Sequence, residues 1–287
     1  MSGSAPAVEL AWDAHCATGE GCVWDAAAGR LLFCDIPAGR IHALYPADGR
    51  CVTWTLPDLV ASFGLCRSGK LIVALSNRFV RFDPATGDVE DFAGPIDEPA
   101  ECRLNDGKVG PDGCFWVGSM DRDPRRRPIA SLYRLRPDGV VERRETGYRI
   151  SNGLAWSPDG TTMYHSDTPE GRIDAWRFDS VRGAIGERRV FVTLTEAQGR
   201  PDGGATDADG VYWSAGVSAG CLNAIGPDGS LQRRIAMPVR APTMMCFADQ
   251  TLYVTSLRRA DDTDDHAGGL FRMVAPALGT PIALFAD

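Results

Sequence analysis

The sequence predicts an all-β fold, a six-bladed β-propeller, on three observations. A turn followed by a short apolar run recurs six times along the 287 residues, at spacings of 40 to 50 residues. Each recurrence is preceded by one short strand-like run and followed by two more, which makes four strands per unit. Glycine (32 residues) and proline (19) are frequent, and such punctuation favours many short strands over long helices. Four-stranded units of this period are the mark of propeller blades, whereas a β-sandwich gives no reason for a period repeated six times.

Taken in order, the recurring apolar strands are "GRLLFCD" from Gly29, "GKLIVAL" from Gly69, "GCFWVGS" from Gly113, "GTTMYHSD" from Gly160, "GVYWSA" from Gly210 and "QTLYVTS" from Gln250. The strands that follow are "RIHALYP", "RFVRFDP", "SLYRLRP", "RIDAWRF", "CLNAIGP" and "GLFRMVA". Polar turns such as "PADG", "PATG" and "RPDG" end most of them, and Asp-Gly and Pro-Asp-Gly turns are natural hairpin connections. The outer strands read "CVTWTLP", "VEDFAG", "VERRETG", "RRVFVTL", "LQRRIAM" and "PIALFAD". The N-terminal "VELAWDAHC" also has the character of an outer strand. It is expected to pair with the last blade and close the ring, so that residues 1–287 form one domain without a linker.

Composition bounds the partners. A net charge of −8 and a pI near 5.1 argue against nucleic acid, whose binders carry a basic stripe. The one basic run, "RDPRRRP" from Arg122 to Pro128, reads as a solvated loop between two strands. No apolar run approaches a membrane span, and no basic start followed by an apolar stretch marks a leader. Nine cysteines without a C-x-x-C, most of them in strand-like runs, read as reduced, buried thiols of a cytoplasmic protein.

One stretch resists the turn reading. "RPDGGATDADGVYW" holds two Asp-Gly pairs too close for a strand to fit between two hairpins. Asp209-Gly210 fits the hairpin of the fifth unit. Asp202 lies eight residues before that glycine, and Asn105 and Asn152 stand eight before Gly113 and Gly160; Glu20 stands nine before Gly29, with Ser62 and Thr243 at similar offsets. All therefore begin an innermost strand, where side chains of separate blades converge on the axis. Glu20, Asn105, Asn152 and Asp202, with Arg103 nearby, form a convergent polar set. Two carboxylates that close repel unless a cation separates them. Oxygen donors alone suit a hard or borderline divalent ion. The alternative is a hydrogen-bonded plug of polar residues on the axis.

The same residues carry a family resemblance. "TGEGCVWD", "CRLNDGKVGPDGCFWVGSM", "ISNGLAWSPDG", "MYHSDT" and "RPDGGATDADGVYW", in this order and over nearly the whole chain, resemble the SMP-30/gluconolactonase/LRE-like family. The resemblance implies a six-bladed propeller that binds one divalent metal and hydrolyses a sugar lactone, a small neutral molecule. It implies Glu20, Asn152 and Asp202 as metal ligands, with Arg103 and Asn105 on the substrate's hydroxyls. An acidic residue after "GSM" contacts sugar in some members, and here Asp121 and Asp123 are available, with Asp123 preferred. Asp202 is then the general base or acid beside the ester. The metal, whether Ca²⁺, Mg²⁺, Mn²⁺, Zn²⁺ or Fe²⁺, is not fixed by an oxygen triad.

Several motifs read as structural. "GVSAG" matches a nucleophile elbow, but a strand rather than a helix follows Ser218, which favours a hairpin turn. "DDTDDH", Asp261 to His266, lacks the glycine and terminal glutamate of a calcium loop. His165 at a strand end reads as a packed, hydrogen-bonded histidine. Two other functions stay open at this stage: an organophosphate or aryl-ester hydrolase of the same fold, and a non-catalytic metal-binding propeller. "RLND" favours a hydroxyl-rich substrate over the first; the presence of both Arg103 and Asp202 counts against the second.

Overall fold

Twenty-four strands form six sheets of four in the computed structural model, which describes residues 7–287; the reading of residues 1–6 as free of a leader lies outside them. The innermost strands are Gly19–Asp25, Ser62–Leu65, Cys102–Val109, Ser151–Trp156, Pro201–Thr206 and Pro242–Ala248. Each pairs antiparallel with the next strand in sequence, and five blades run inner to outer in chain order. The only helical element among the described residues is one 3₁₀ turn, Thr168–Glu170. No helix in them is long and apolar enough to cross a membrane.

Strand sequence follows position in the blade. The second strands are wedged between neighbouring blades, so Arg30–Asp35 and Phe115–Asp121 are buried at every residue and read as apolar runs. The outer strand Arg50–Thr55 meets solvent and alternates. The apolar contacts between blades, for example Leu32, Ile41 and Val60 against Phe63, Leu71 and Val80, hold the ring together. All nine cysteines are free, and only Cys51 is exposed.

The sixth blade corrects one expectation. Its outer strand is Glu9–Trp12, in register with Leu270–Val274 through Glu9↔Arg272, Leu10↔Phe271 and Trp12↔Leu270. "PIALFAD" is therefore not an outer strand. A blade has one free edge, and the N-terminal strand occupies it. The C-terminal segment instead crosses beneath the ring. Thr280 N–H donates to Thr206 O (3.1 Å), Phe285 N–H to Leu65 O (2.8 Å) and Ala286 N–H to Gly113 O (3.0 Å), which ties blade five to blades two and three. Phe285 is fully buried in the cluster of Phe79, Val109 and Phe115.

A feature of the inner strands positions the site. In five of the six, one extra residue is inserted opposite the second strand: between Glu20 and Val23, Leu104 and Gly107, Asn152 and Ala155, Pro201 and Gly204, and Pro242 and Met245. Such β-bulges re-aim side chains and are enriched beside active sites. Glycine follows Glu20 and Asn152 because Gly21 and Gly153 adopt φ of 64° and 67°, the left-handed region. Only blade two, which begins with Ser62, pairs without a shift.

Candidate active site

The first residues of the inner strands surround the upper channel, at the end from which those strands run downward. Glu20, Ser62, Asn105, Asn152, Asp202 and Thr243 are all buried. Hydrogen bonds stitch neighbouring blades at this level. Ser62 Oγ donates to Asn105 O (2.7 Å), and Asn105 Nδ2 donates to Ser151 O and Asn152 Oδ1 (both 3.0 Å). Thr168 Oγ1 donates to Pro201 O (2.7 Å), and Thr243 Oγ1 to Gly19 O. The structure thus gathers Glu20, Arg103, Asn105, Asn152 and Asp202 around one axis.

Charge is unbalanced there. Burial, followed by the charges of Asp202 and Asp106, holds the Glu20 carboxyl well above its usual range. Burial, then Asp106, raises Asp202, while Arg103 opposes the shift. Asp106 Oδ2 accepts from Leu154 N–H (3.2 Å), but its Oδ1 is buried without a partner. Asp106, the residue after Asn105, is a third buried carboxylate, against the two cations Arg103 and Lys108.

The donor set fits a divalent cation. Among the described residues Asp202 accepts no hydrogen bond through its side chain, and Glu20 accepts only its neighbour Gly21 N–H (3.1 Å). Asn152 spends its amide nitrogen on Thr168 Oγ1 (2.8 Å), which presents Oδ1 as the acceptor. Glu20 and Asp202 are thus carboxyl groups short of protein donors in a place where anions repel, and Asn152 Oδ1 takes one donor, Asn105 Nδ2. No grouping of three or more His, Cys, Asp or Glu side chains able to hold a metal occurs among the described residues. The candidate set has two carboxylates, and its third member is an amide.

Arg103 lies against the channel wall, with Nη1 donating to Leu104 O (2.7 Å) and Asn105 Oδ1 (2.9 Å). Burial, then the charge of Arg126, pushes its pKa down to about 10. Asp123 is not joined to this group by any contact. Both its oxygens are held by Arg125 (2.9 and 2.7 Å), which keeps its pKa low, at about 2. Asp121 is fully buried and gripped by Arg127 through Nε (2.9 Å) and Nη2 (3.0 Å).

The other motifs fall where local chemistry put them. Ser218 lies in the hairpin between Tyr212–Gly216 and Cys221–Ile225, its Oγ accepting from Arg200 N–H (2.9 Å). His165 is fully buried, bonded to Ser151 Oγ (2.6 Å), and burial lowers its pKa to about 3, so it is neutral. Asp209 is exposed in its turn. Asp202-Gly203 is no turn: it sits in the bulge, where a Cβ on Gly203 would meet Thr243 O at 2.7 Å. A cavity of about 300 Å³ occupies the opposite, lower end of the channel, walled by Phe63, Lys108, Trp156, Met244 and Thr280–Ala283. The polar set lies outside its walls.

Residues 18–258 match the model of the SMP-30/Gluconolactonase/LRE-like region. A 6-deoxy-6-sulfogluconolactonase of Pseudomonas putida is 37% identical over 254 residues, 87% of this chain and 86% of that protein. A pentonolactonase of Haloferax volcanii is 31% identical over 94% of each chain. Among solved structures, a calcium-binding regucalcin from Agrobacterium tumefaciens superimposes with a TM-score of 0.91 at 27% identity, covering 98% of both chains.

Proposed function

The chain belongs to the SMP-30/gluconolactonase/LRE-like family, and from that premise we propose that it hydrolyses a sugar lactone to the aldonic acid. The observation that carries the reading is the two under-donated carboxyl groups of Glu20 and Asp202, with Asn152 Oδ1, beside the Arg103–Asn105 pair. The named lactonases among its relatives, over most of their length, support it.

Glu20, Asn152 and Asp202 would hold one divalent cation, whose chemistry when bound is Lewis acidity toward the ester carbonyl. Asp202 Oδ takes the proton of the attacking water and returns it to the ring oxygen as that oxygen leaves, so the acid and alcohol form without a free alkoxide. Arg103 and Asn105 hydrogen-bond the hydroxyls and fix the ring, a contribution from positioning. Asn105 also donates to Asn152 Oδ1, so substrate grip and ligand geometry share one side chain. Asp123, the further substrate contact that the resemblance implies, has both its oxygens engaged by Arg125. Nine free thiols suit a reducing compartment, and we place the protein in the cytoplasm.

The test is a panel of lactones followed by proton release, using chelated protein and the same protein with Ca²⁺, Mg²⁺, Mn²⁺, Zn²⁺ or Fe²⁺ restored. Hydrolysis that disappears on chelation and returns with a metal is expected. Metal binding with no hydrolysis of any lactone leaves a non-catalytic propeller.

A further inference from the structure

The basic run is, as expected, a loop between two strands, Phe115–Asp121 and Ala130–Leu135, exposed at Arg122, Pro124, Arg125 and Pro128. Residues 122–129 fold back over blade three at the upper mouth, and their arginines divide into two kinds. Arg125 is neutralised by Asp123, and Arg127 by Asp121 and Glu101. Arg122 and Arg126 have no carboxylate within ion-pair reach among the described residues. Arg122 donates to the carbonyls of Ala100 (2.9 Å) and Glu101 (3.4 Å), and Arg126 to that of Asp121. Arg126 is held in the left-handed region, φ 50°, by its N–H on Asp123 O (2.9 Å) and by Arg149 Nη1 on its own carbonyl (2.7 Å). For a bulky residue such a backbone is a local cost that its surroundings must impose.

Place matters as much as charge. Asp121, whose carbonyl Arg126 grips, pairs with Cys102, and Met120 pairs with Arg103, so the Arg126 guanidinium stands at the strand end beside Arg103. Burial is the larger cause of the lowered Arg103 pKa, and the charges of Arg126 and Arg122 add to it. Arg103 also lacks a carboxylate at ion-pair distance among the described residues. On the loop side Glu98 accepts from Ser119 Oγ (2.6 Å) through one oxygen, its Oε2 being buried without a partner, and Glu101 pairs with Arg127; on the axis side the charge of Glu20 favours the Arg103 cation. Arg122 and Arg126 thus share one side of the mouth without an ion-paired carboxylate among the described residues, an arrangement that an incoming anion relieves.

We infer that the loop reads the tail of the substrate, and that the preferred lactones carry an anionic group, a carboxylate, sulfonate or phosphate, on the carbon farthest from the ester, with Arg126 as its main contact and Arg122 beside it. The inference rests on the lactonase reading. With the ester at Asp202 and the hydroxyls on Arg103 and Asn105, the chain of the sugar runs outward along blade three and ends under this loop.

The experiment compares gluconolactone with lactones bearing a terminal carboxylate, sulfonate or phosphate, at low and high ionic strength, on metal-loaded protein. The expected result is a kcat/KM at least about tenfold higher for an anionic lactone, shrinking as salt rises. Arg126→Gln should bring the anionic-to-neutral ratio toward one through KM, with kcat for the anionic lactone nearly kept. Arg126→Lys should retain part of the ratio, and Arg126→Glu should invert it. Among the anionic arms, whichever is fastest names the group. Turnover of gluconolactone equal to or better than every anionic lactone, or an Arg126→Gln that lowers kcat for all lactones alike, overturns the inference and leaves the lactonase standing. Hydrolysis of no lactone at all overturns both.

Discussion

At the scale of single residues, the two Asp-Gly pairs separate site from turn. Asp202→Asn keeps the size and one oxygen but removes charge and basicity. Metal should bind more weakly yet be recoverable at high concentration, while activity at saturation stays down by roughly 10²–10⁴, the usual worth of a positioned acid–base group. Asp209→Asn, in an exposed turn where Asn-Gly serves as well, should leave metal, rate and fold unchanged. Full activity of Asp202→Asn at metal saturation would remove Asp202 from the proton transfer. Gly153→Ala tests the bulge: its Cβ would meet Ser166 Oγ and Tyr212 Oη at 2.6 Å, at a φ of 67°. A loss of roughly 1–3 kcal/mol in urea unfolding is expected, together with weaker metal binding as Asn152 shifts. Unchanged metal affinity would mean that the bulge does not aim Asn152. The offset of eight residues made Asn105, Asn152 and Asp202 visible in the chain, but the bulge was not visible, because register exists only relative to a partner strand. Asp106 was not legible for a similar reason: its one donor, Leu154 N–H, comes from blade four.

At the scale of elements, the six apolar second strands were legible because burial between blades on both faces leaves no alternation to confuse them. The end of the chain was not. "PIALFAD" has the composition of an outer strand, and only competition for the single edge of blade six decides that Glu9–Trp12 takes it. The displaced segment has its own work under the ring. Phe285→Ala should cost about 3–5 kcal/mol, the usual range for an emptied aromatic site, read as a lower urea midpoint. Since Phe285 lies at the lower end, among Phe79, Val109 and Phe115, kcat/KM of the surviving folded protein should barely move. Loss of activity at unchanged stability would instead couple the strap to the upper mouth. The pairing within the arginine loop also escaped sequence reading, since "RDPRRRP" does not say which guanidinium groups find a carboxylate.

At the scale of the whole molecule, six blades donate one position each to a shared axis, so a ligand on that axis joins parts far apart in sequence. A cation bound by Glu20, Asn152 and Asp202 stabilises only the closed ring. By mass action it should add about 2.7 kcal/mol at a hundredfold excess over Kd, so chelation should lower Tm by several degrees, measured by calorimetry. No change in Tm on chelation of fully loaded protein would leave the polar plug as the better account of the axis. Ring closure has a further consequence in the order of synthesis. Glu9–Trp12 is made near the start, yet its partner Leu270–Val274 emerges only after five blades have been translated. Until then the early strand has no edge to occupy, and blade six has at most two of its strands, Pro242–Ala248 and Thr251–Ser256, with its outer edge open. Domains generally fold as units as they leave the ribosome, but this ring cannot lock until its two ends meet. The nascent chain therefore spends most of its synthesis with an unpaired strand and, near the end, an open sheet edge, the two features that invite pairing with another chain. Slowed translation in the second half of the message should accordingly raise the aggregated fraction more than the same delay imposed after Val274.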